Sequence, residues 1–222
     1  MDMDKGMQPL CTGRSSQWEA YYEHHKDRPG SPLLRSALSF VTADSACRQA
    51  VDLGCGAGND SRFLLEAGWD VLAIDREEAA INRVGMAGQG FPNGQLQAVA
   101  QPFEGLNRLP SASLVYAGMA LPFCHPEHFV KLWSTVLSAL EPGGVFAGNL
   151  FGDRDDWANR TFMNFHSEAQ ARSLFQDLEL MLFHVHEEDG PCMQGFKHWH
   201  RFDFIARKPG PDVGLSHSRN GR

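Results

Sequence analysis

"AVDLGCGAGNDSRFLLEAGWDVLAIDREE", residues Ala50 to Glu78, decides the fold. A short apolar run feeds a turn that holds Gly54, Gly56 and Gly58. A helical pattern follows, and a second apolar run ends on Asp75. This is the order of a β-turn-α-β unit, and such units bind ligands at the turn. Glycine lets the backbone bend tightly and lets a ligand approach without Cβ interference. The dinucleotide pattern GxGxxG would require glycine at position 59, where this chain has Asn59. Asn59, Asp60 and Ser61 can cap the helix instead, and acids at a helix start suit a cationic or zwitterionic ligand better than a diphosphate. Asp75 stands where an acid accepts hydrogen bonds from both hydroxyls of a ribose. Asp52, just ahead of the turn, can fix the glycine loop through backbone N–H groups or reach a ligand ammonium through water.

Outward from this unit, strand-like and helix-like stretches alternate. "QAVDL", "DVLAI", "QLQAVA", "SLVYAGM" and "GVFAGNLF" read as strands, and "DSRFLLEAG", "EEAAINRVGMA" and "EHFVKLWSTVLSAL" as helices. The alternation implies a mostly parallel sheet covered by helices on both faces. After the helix candidate "SEAQARSLFQ" the rhythm changes. "LELMLFHVHEE" and "KHWHRFDFIARK" follow each other across a turn at Asp189 to Pro191, which predicts an antiparallel hairpin closing the sheet. Residues 1–15 and 209–222 are polar, rich in Gly, Ser or Pro, and read as flexible ends around one domain over 16–208.

Bulk properties narrow the function. The 222 residues carry 20 Lys and Arg against 27 Asp and Glu, a formal net charge of −7, with no block of like charge. Coating nucleic acid needs a basic face, so that role is excluded. No stretch approaches the roughly 20 apolar residues of a membrane span. Five cysteines (Cys11, Cys47, Cys55, Cys124 and Cys192) form no CxxC pair, so neither a disulfide framework nor a zinc knuckle is indicated and a cytoplasmic protein is expected.

The segment "VDLGCGAGNDSRFLLEAGWDVLAID" resembles motif I and the following acidic position of class I S-adenosylmethionine-dependent methyltransferases. "WEAYYEHHKDRPGSPLL", "ALPFCHPEHFVKLWSTVLSALEPGGVFAGNLFGDRDDWA" and "KHWHRFDFIARK" resemble a bacterial small-molecule subgroup related to the tellurite-resistance and type-12 enzymes. The likeness runs over about residues 17 to 208. It implies a Rossmann-like α/β fold with a seven-stranded, mostly parallel sheet and an antiparallel C-terminal strand, with S-adenosylmethionine as cofactor. It also implies that Gly54, Cys55 and Gly56 lie against the methionine part and the ribose, that Asp75 holds the ribose hydroxyls, and that Arg76 flanks adenine. Tyr22 and Arg28 become contacts for the methionine carboxylate, and backbone at Ala117 and Gly118 lies beside the methionine moiety. The family acid after the third strand is missing from "LQAVAQPFEGL", so Gln101 or backbone near Phe103 would have to take the adenine amino group. No NPPY-like pocket for an amide or base is present.

Several features keep more than one reading. Trp18, Tyr21 and Tyr22 share one helix face and either fold over the cofactor or pack the helix. "FGDRDDWANRTFMNFHS" is either an acceptor-site cover or an exposed connection. His198 and His200 share a strand face, with His184 and His186 on the partner strand. They either pack with a hydrogen bond, serve near the acceptor, or join a metal site. The expected chemistry is methyl transfer to a small acceptor, with His200, then Tyr116, as general base if the acceptor must lose a proton. A SAM-binding regulatory or assembly module without catalysis fits the same turn, and an NAD-dependent oxidoreductase fits it less well.

Overall fold

In the computed structural model, residues 14–42, 48–92, 95–192 and 195–210 are described. The flexible ends expected over 1–15 and 209–222 lie outside them, apart from 14–15 and 209–210; Cys11 and Cys47 also lie outside. Two helices come first, α1 (Arg14–His25) and α2 (Pro32–Leu38). The β-turn-α-β unit follows as β1 (Gln49–Leu53), α3 (Asn59–Glu66) and β2 (Asp70–Asp75), then α4 (Glu78–Gly88), β3 (Leu96–Ala100) and β4 (Ala112–Ala117). The remainder is α5 (Pro126–Ala139), β5 (Leu140–Gly152), β6 (Phe165–His166), α6 (Glu168–Ser173), β7 (Glu179–Cys192) and β8 (Gly195–Arg207).

The strands lie in the order β3-β2-β1-β4-β5-β8-β7. The first five are mutually parallel, and β8 runs antiparallel to both neighbours, β5 and β7. The expected hairpin is therefore β7–β8, with its second strand inserted into the sheet, but Asp189, Gly190 and Pro191 are not its turn: they pair with His198, Lys197 and Phe196 because the strands run on past them. The sequence implies seven strands, and the structure has these seven plus β6, two residues that pair in parallel with Phe151 and Gly152 of β5.

Alternation along each strand sends neighbouring residues to opposite faces, which is how apolar runs such as β1 and β4 build two cores at once. Val51, Leu53, Val115, Phe146 and Phe204 join Leu132, Trp133 and Val136 of α5 on one face. Ala50, Leu114, Val145 and Ile205 join Leu34, Leu64, Leu65 and Val84 from α2, α3 and α4 on the other. On the first face Trp133 sits 5.1 Å from Phe146 and 5.4 Å from Phe175 between ring centres, and its indole N–H donates to the Leu174 carbonyl at 3.3 Å. That bond satisfies the one polar atom of a large buried ring.

Strand order reverses between β1 and β4, and the glycine turn leaves the carboxyl end of β1 at that point. In open α/β sheets this crevice is where ligands bind. No helix among the described residues is long and apolar enough to cross a membrane.

Candidate cofactor site and acceptor edge

Gly54, Gly56 and Gly58 have φ of +74°, +52° and +82°, so each occupies the left-handed region that penalises a side chain. Space forbids one at Gly54 as well, where a Cβ would lie 2.4 Å from that of Ala120. The Gly54 and Cys55 amides both donate to the Ile74 carbonyl, at 2.7 and 3.1 Å, so the turn is bound to the end of β2.

Asp75 completes that link. One carboxylate oxygen accepts the Gly56 N–H at 2.9 Å and the other accepts the Glu77 N–H at 2.9 Å. A carboxylate has about four acceptor positions, so two bonds leave capacity for further donors such as ribose hydroxyls. Burial raises the Asp75 pKa against the pull of these amide bonds. The bare backbone at Gly56 and the anchored carboxylate of Asp75 together fit a nucleoside with its ribose at the turn.

The helix start is built differently from the expectation. The N-cap of α3 is Gly58, without a side-chain cap. Asn59 donates instead to the His25 carbonyl at 2.7 Å, which ties the end of α1 to the turn. Asp60 accepts the Ser31 N–H at 2.6 Å and lies 3.8 Å from the Arg28 guanidinium. Ser61 donates its hydroxyl to Asp52 at 2.6 Å, so Asp52 secures the first turn of α3. Burial, with Asp60 and Asp75 nearby, pushes the Asp52 carboxyl up to about 7. A Cβ on Gly58 would come within 2.8 Å of Val84, so this glycine allows the close packing of α3 on α4.

Helix α1 covers the turn. Tyr22 is buried beside Gly56, Trp18 stacks on Tyr22 with centres 6.1 Å apart, and Phe123 meets Trp18 edge-on at 5.6 Å. Both readings of this face hold in part, since the stripe packs the helix and does so against the glycine turn. The Tyr21 side chain lies outside the described residues.

The matched family model, described as a methyltransferase domain, covers residues 50–144, from the start of β1 to the first turn of β5. Over that stretch the chain is similar to S-adenosylmethionine-dependent methyltransferases. It is 27% identical over 151 residues to a carboxy-S-adenosyl-L-methionine synthase of Erwinia tasmaniensis, covering 65% of this chain and 59% of that protein. It is 28% identical over 141 residues to a trans-aconitate 2-methyltransferase of Rhizobium meliloti, covering 62% and 49%. The chain thus spans about half to three fifths of the length of these relatives. In fold it is similar to TehB from Haemophilus influenzae, with a TM-score of 0.70 over 86% of this chain and 67% of that one at 16% identity.

The other expected cofactor residues surround the turn at different distances. Gln101 donates its backbone N–H to the Asp75 carbonyl at 2.8 Å, while its side-chain amide closes the next turn on the Gly105 carbonyl at 2.9 Å. The Phe103 ring reaches within 3.7 Å of where a Gly54 Cβ would stand. Arg76 is half exposed, 3.8 Å from Glu77. Ala117 ends β4 and Gly118 begins the turn whose Ala120 touches Gly54. Cys55 is a buried thiol whose pKa burial pushes well up, so it packs the turn and is no nucleophile.

Neither expected base is arranged as one. Tyr116 is buried, and desolvation with Asp60 and Asp52 close by raises its pKa, so its hydroxyl stays protonated. His200 is fully buried against Gly152. The Arg154 amide N–H points at its Nδ1 at 3.1 Å and the Arg154 guanidinium lies 3.0 Å from Nε2. Burial and that cation lower the His200 pKa, and the ring serves to hold the loop after β5. Of the three histidines expected alongside it, His198 meets Asp189 at 2.7 Å, His186 meets Asp203 at 2.8 Å, and His184 lies edge-on to His186 with ring centres 4.2 Å apart.

Residues 153–164 form the loop expected to be a cover or a connection. At its start, Asp155 is buried, receives the Trp157 and His200 amide N–H groups at 3.0 and 3.2 Å, and pairs with the buried Lys197 ammonium. That ammonium is 4.0 Å from the ring centres of both Trp157 and Trp199 and 5.2 Å from that of Phe151. At the loop's end, Asn164 donates its backbone N–H to the Pro122 carbonyl at 2.9 Å and its side-chain amide to the Cys124 carbonyl. The loop therefore bridges from β8 to the turn after β4, along the carboxyl edge of the sheet. Asp155 and Lys197 escaped the sequence reading, although a lysine in an otherwise aromatic strand segment was the available signal.

Proposed function

We propose that this protein transfers a methyl group from S-adenosylmethionine to a small-molecule nucleophile. The observation that carries the reading is the Asp75 carboxylate gripping the Gly56 amide at the switch point between β1 and β4. S-adenosylmethionine supplies, when bound, a sulfonium methyl already activated toward nucleophiles. Gly54, Cys55 and Gly56 present bare backbone to its methionine half, and Asp75 accepts from its ribose. Tyr22 and Arg28, brought over the turn by Asn59 and Asp60, suit the methionine carboxylate, and Phe103 with Gln101 borders the adenine side.

The protein's remaining task is alignment and exclusion of water, because an in-line displacement on an activated carbon gains most from positioning. The 153–164 loop and the aromatic face of α1 serve that task at the acceptor edge. With His200 and Tyr116 engaged elsewhere, the chain fits an acceptor that reacts without a dedicated base, such as a thiol or a carboxylate. A relative named for methylating trans-aconitate supports the small-acceptor part of this reading. Cys55, Cys124 and Cys192 are free thiols, in keeping with a cytoplasmic setting.

Calorimetric titration of S-adenosylmethionine, its demethylated product and NADH into wild type and Asp75→Ala tests the reading. Binding of the first two that Asp75→Ala weakens severely is the expected result. Preference for NADH would overturn it, and cofactor binding without turnover on a broad nucleophile panel would point to the non-catalytic module.

A further inference from the structure

Met119 is the only non-glycine residue at positive φ among the described residues, at +54°. A left-handed conformation costs an ordinary residue energy and persists only where its surroundings impose it. Here the imposing group is identifiable. The Met119 N–H donates to the side-chain oxygen of Asn149 at 2.8 Å. Asn149 is 6% exposed, and its amide nitrogen donates to the Asp203 carboxylate. The amide orientation is fixed from both sides, because a backbone N–H only donates and a carboxylate only accepts. Asp203 is held in turn by Arg201, at 2.7 and 3.2 Å, and by His186 at 2.8 Å.

Sheet register explains why Asn149 can do this. Ala117 pairs with Gly148, so Asn149 is the first residue of β5 beyond the last paired residue of β4, where the chain bends away at Gly118. On its other side Asn149 is directly opposite Asp203 of β8. One residue after the strained position, Ala120 packs on Gly54. The bend at Met119 thus sets how the 118–120 turn presses on the glycine turn.

We propose that Asn149 and Asp203 are positioning residues for cofactor binding, holding the Gly118–Met119 backbone in its left-handed bend so that Ala120 supports the glycine turn. The proposal rests on the cofactor reading above. If it holds, Asn149 acts through the conformation of Met119, and a glycine at 119, which adopts that conformation without strain, should make Asn149 dispensable.

The test is a double-mutant cycle read by calorimetric Kd for S-adenosylhomocysteine. Asn149→Leu is expected to weaken binding about tenfold or more, from the order of such backbone strain. Met119→Gly alone is expected within about threefold of wild type, and the Asn149→Leu/Met119→Gly pair should recover most of the loss. Unchanged binding in Asn149→Leu, or a double variant as weak as the single, overturns the proposal, since a merely structural asparagine would not be rescued at position 119. If Asn149→Leu fails to fold, Asn149→Ser carries the same comparison, and Asp203→Leu repeats it from β8. Wild type that binds neither S-adenosylmethionine nor its product sinks the cofactor reading itself, whereas wild-type binding without rescue sinks only the role of Asn149 and Asp203.

Discussion

Gly54 and Ala120 meet so closely that a methyl group on Gly54 would stand 2.4 Å from the Ala120 Cβ. Two turns distant in sequence, those after β1 and β4, are packed as one unit across the switch point. Gly54→Ala therefore meets both a left-handed backbone and a collision. We expect it to cost about 2–4 kcal/mol of stability and to lower cofactor affinity sharply. Ala120→Gly added to it should recover part of the loss, because the collision is relieved and the strain is not. Urea denaturation and calorimetry on the three variants check this.

Asp52 makes stability depend on pH in a definite direction. Its folded pKa, about 7, exceeds its ordinary value of 3.8, so between those limits the folded chain holds a proton that the unfolded chain releases. Stability from this group is full below about pH 4 and is lost as pH rises through about 7. Asp52→Asn keeps an acceptor for the Ser61 hydroxyl and removes the titration. It should flatten the decline in stability between about pH 4 and 7 and be more stable than wild type at the upper end. Asp60 and Asp75, shifted the same way by burial, leave a residual slope. Denaturation midpoints across that range decide the matter, and an unchanged slope in Asp52→Asn would refute it.

Asp155 and Lys197 should respond unequally to loss of a partner. Asp155→Ala leaves a buried ammonium unpaired and two amide donors without an acceptor, which we expect to cost about 3–5 kcal/mol. Lys197→Met places an apolar chain of similar length among Phe151, Trp157 and Trp199. The double variant Asp155→Asn/Lys197→Met should be less destabilised than Asp155→Ala, since it removes the buried charges together. Tryptophan fluorescence during unfolding reports on the cage directly.

His200→Ala should separate stability from ligand binding. It empties a fully buried site against Gly152 and strands the Arg154 amide, for an expected loss of about 2–4 kcal/mol. Affinity for S-adenosylhomocysteine should stay within about twofold, because no described contact joins His200 to the glycine turn. A large fall in affinity with little change in stability would restore His200 as a residue of the site.

Much of the fold was readable because period and punctuation are local properties. The runs "QAVDL" and "DVLAI" became β1 and β2, and two adjacent strand patterns without a helix between them became β7 and β8. β6 escaped because two residues carry no period. Asn59 was read as a cap for α3 from its residue type, but Gly58 already ends the turn in a left-handed conformation, and Asn59 is free to bind the His25 carbonyl. His200 was given a chemical role because strand alternation says which residues share a face, not which loop folds over that face. Asn149 was hidden for a similar reason: one partner, Met119, comes from the turn after β4 and the other, Asp203, from β8, so they meet only after β8 has been inserted.

That insertion has a consequence for how the chain reaches its native form. Phe202, Phe204 and Ile205 are fully buried, and β8, the last of the described strands to leave the ribosome, supplies them between β5 and β7. Until it arrives, β5 presents one unpaired edge over Val145–Phe151 and an unfilled core to whatever is nearby. The parallel half can gather during synthesis, but the sheet closes only after translation has passed Arg207, so the nascent chain is most exposed to misassociation just before β8 emerges.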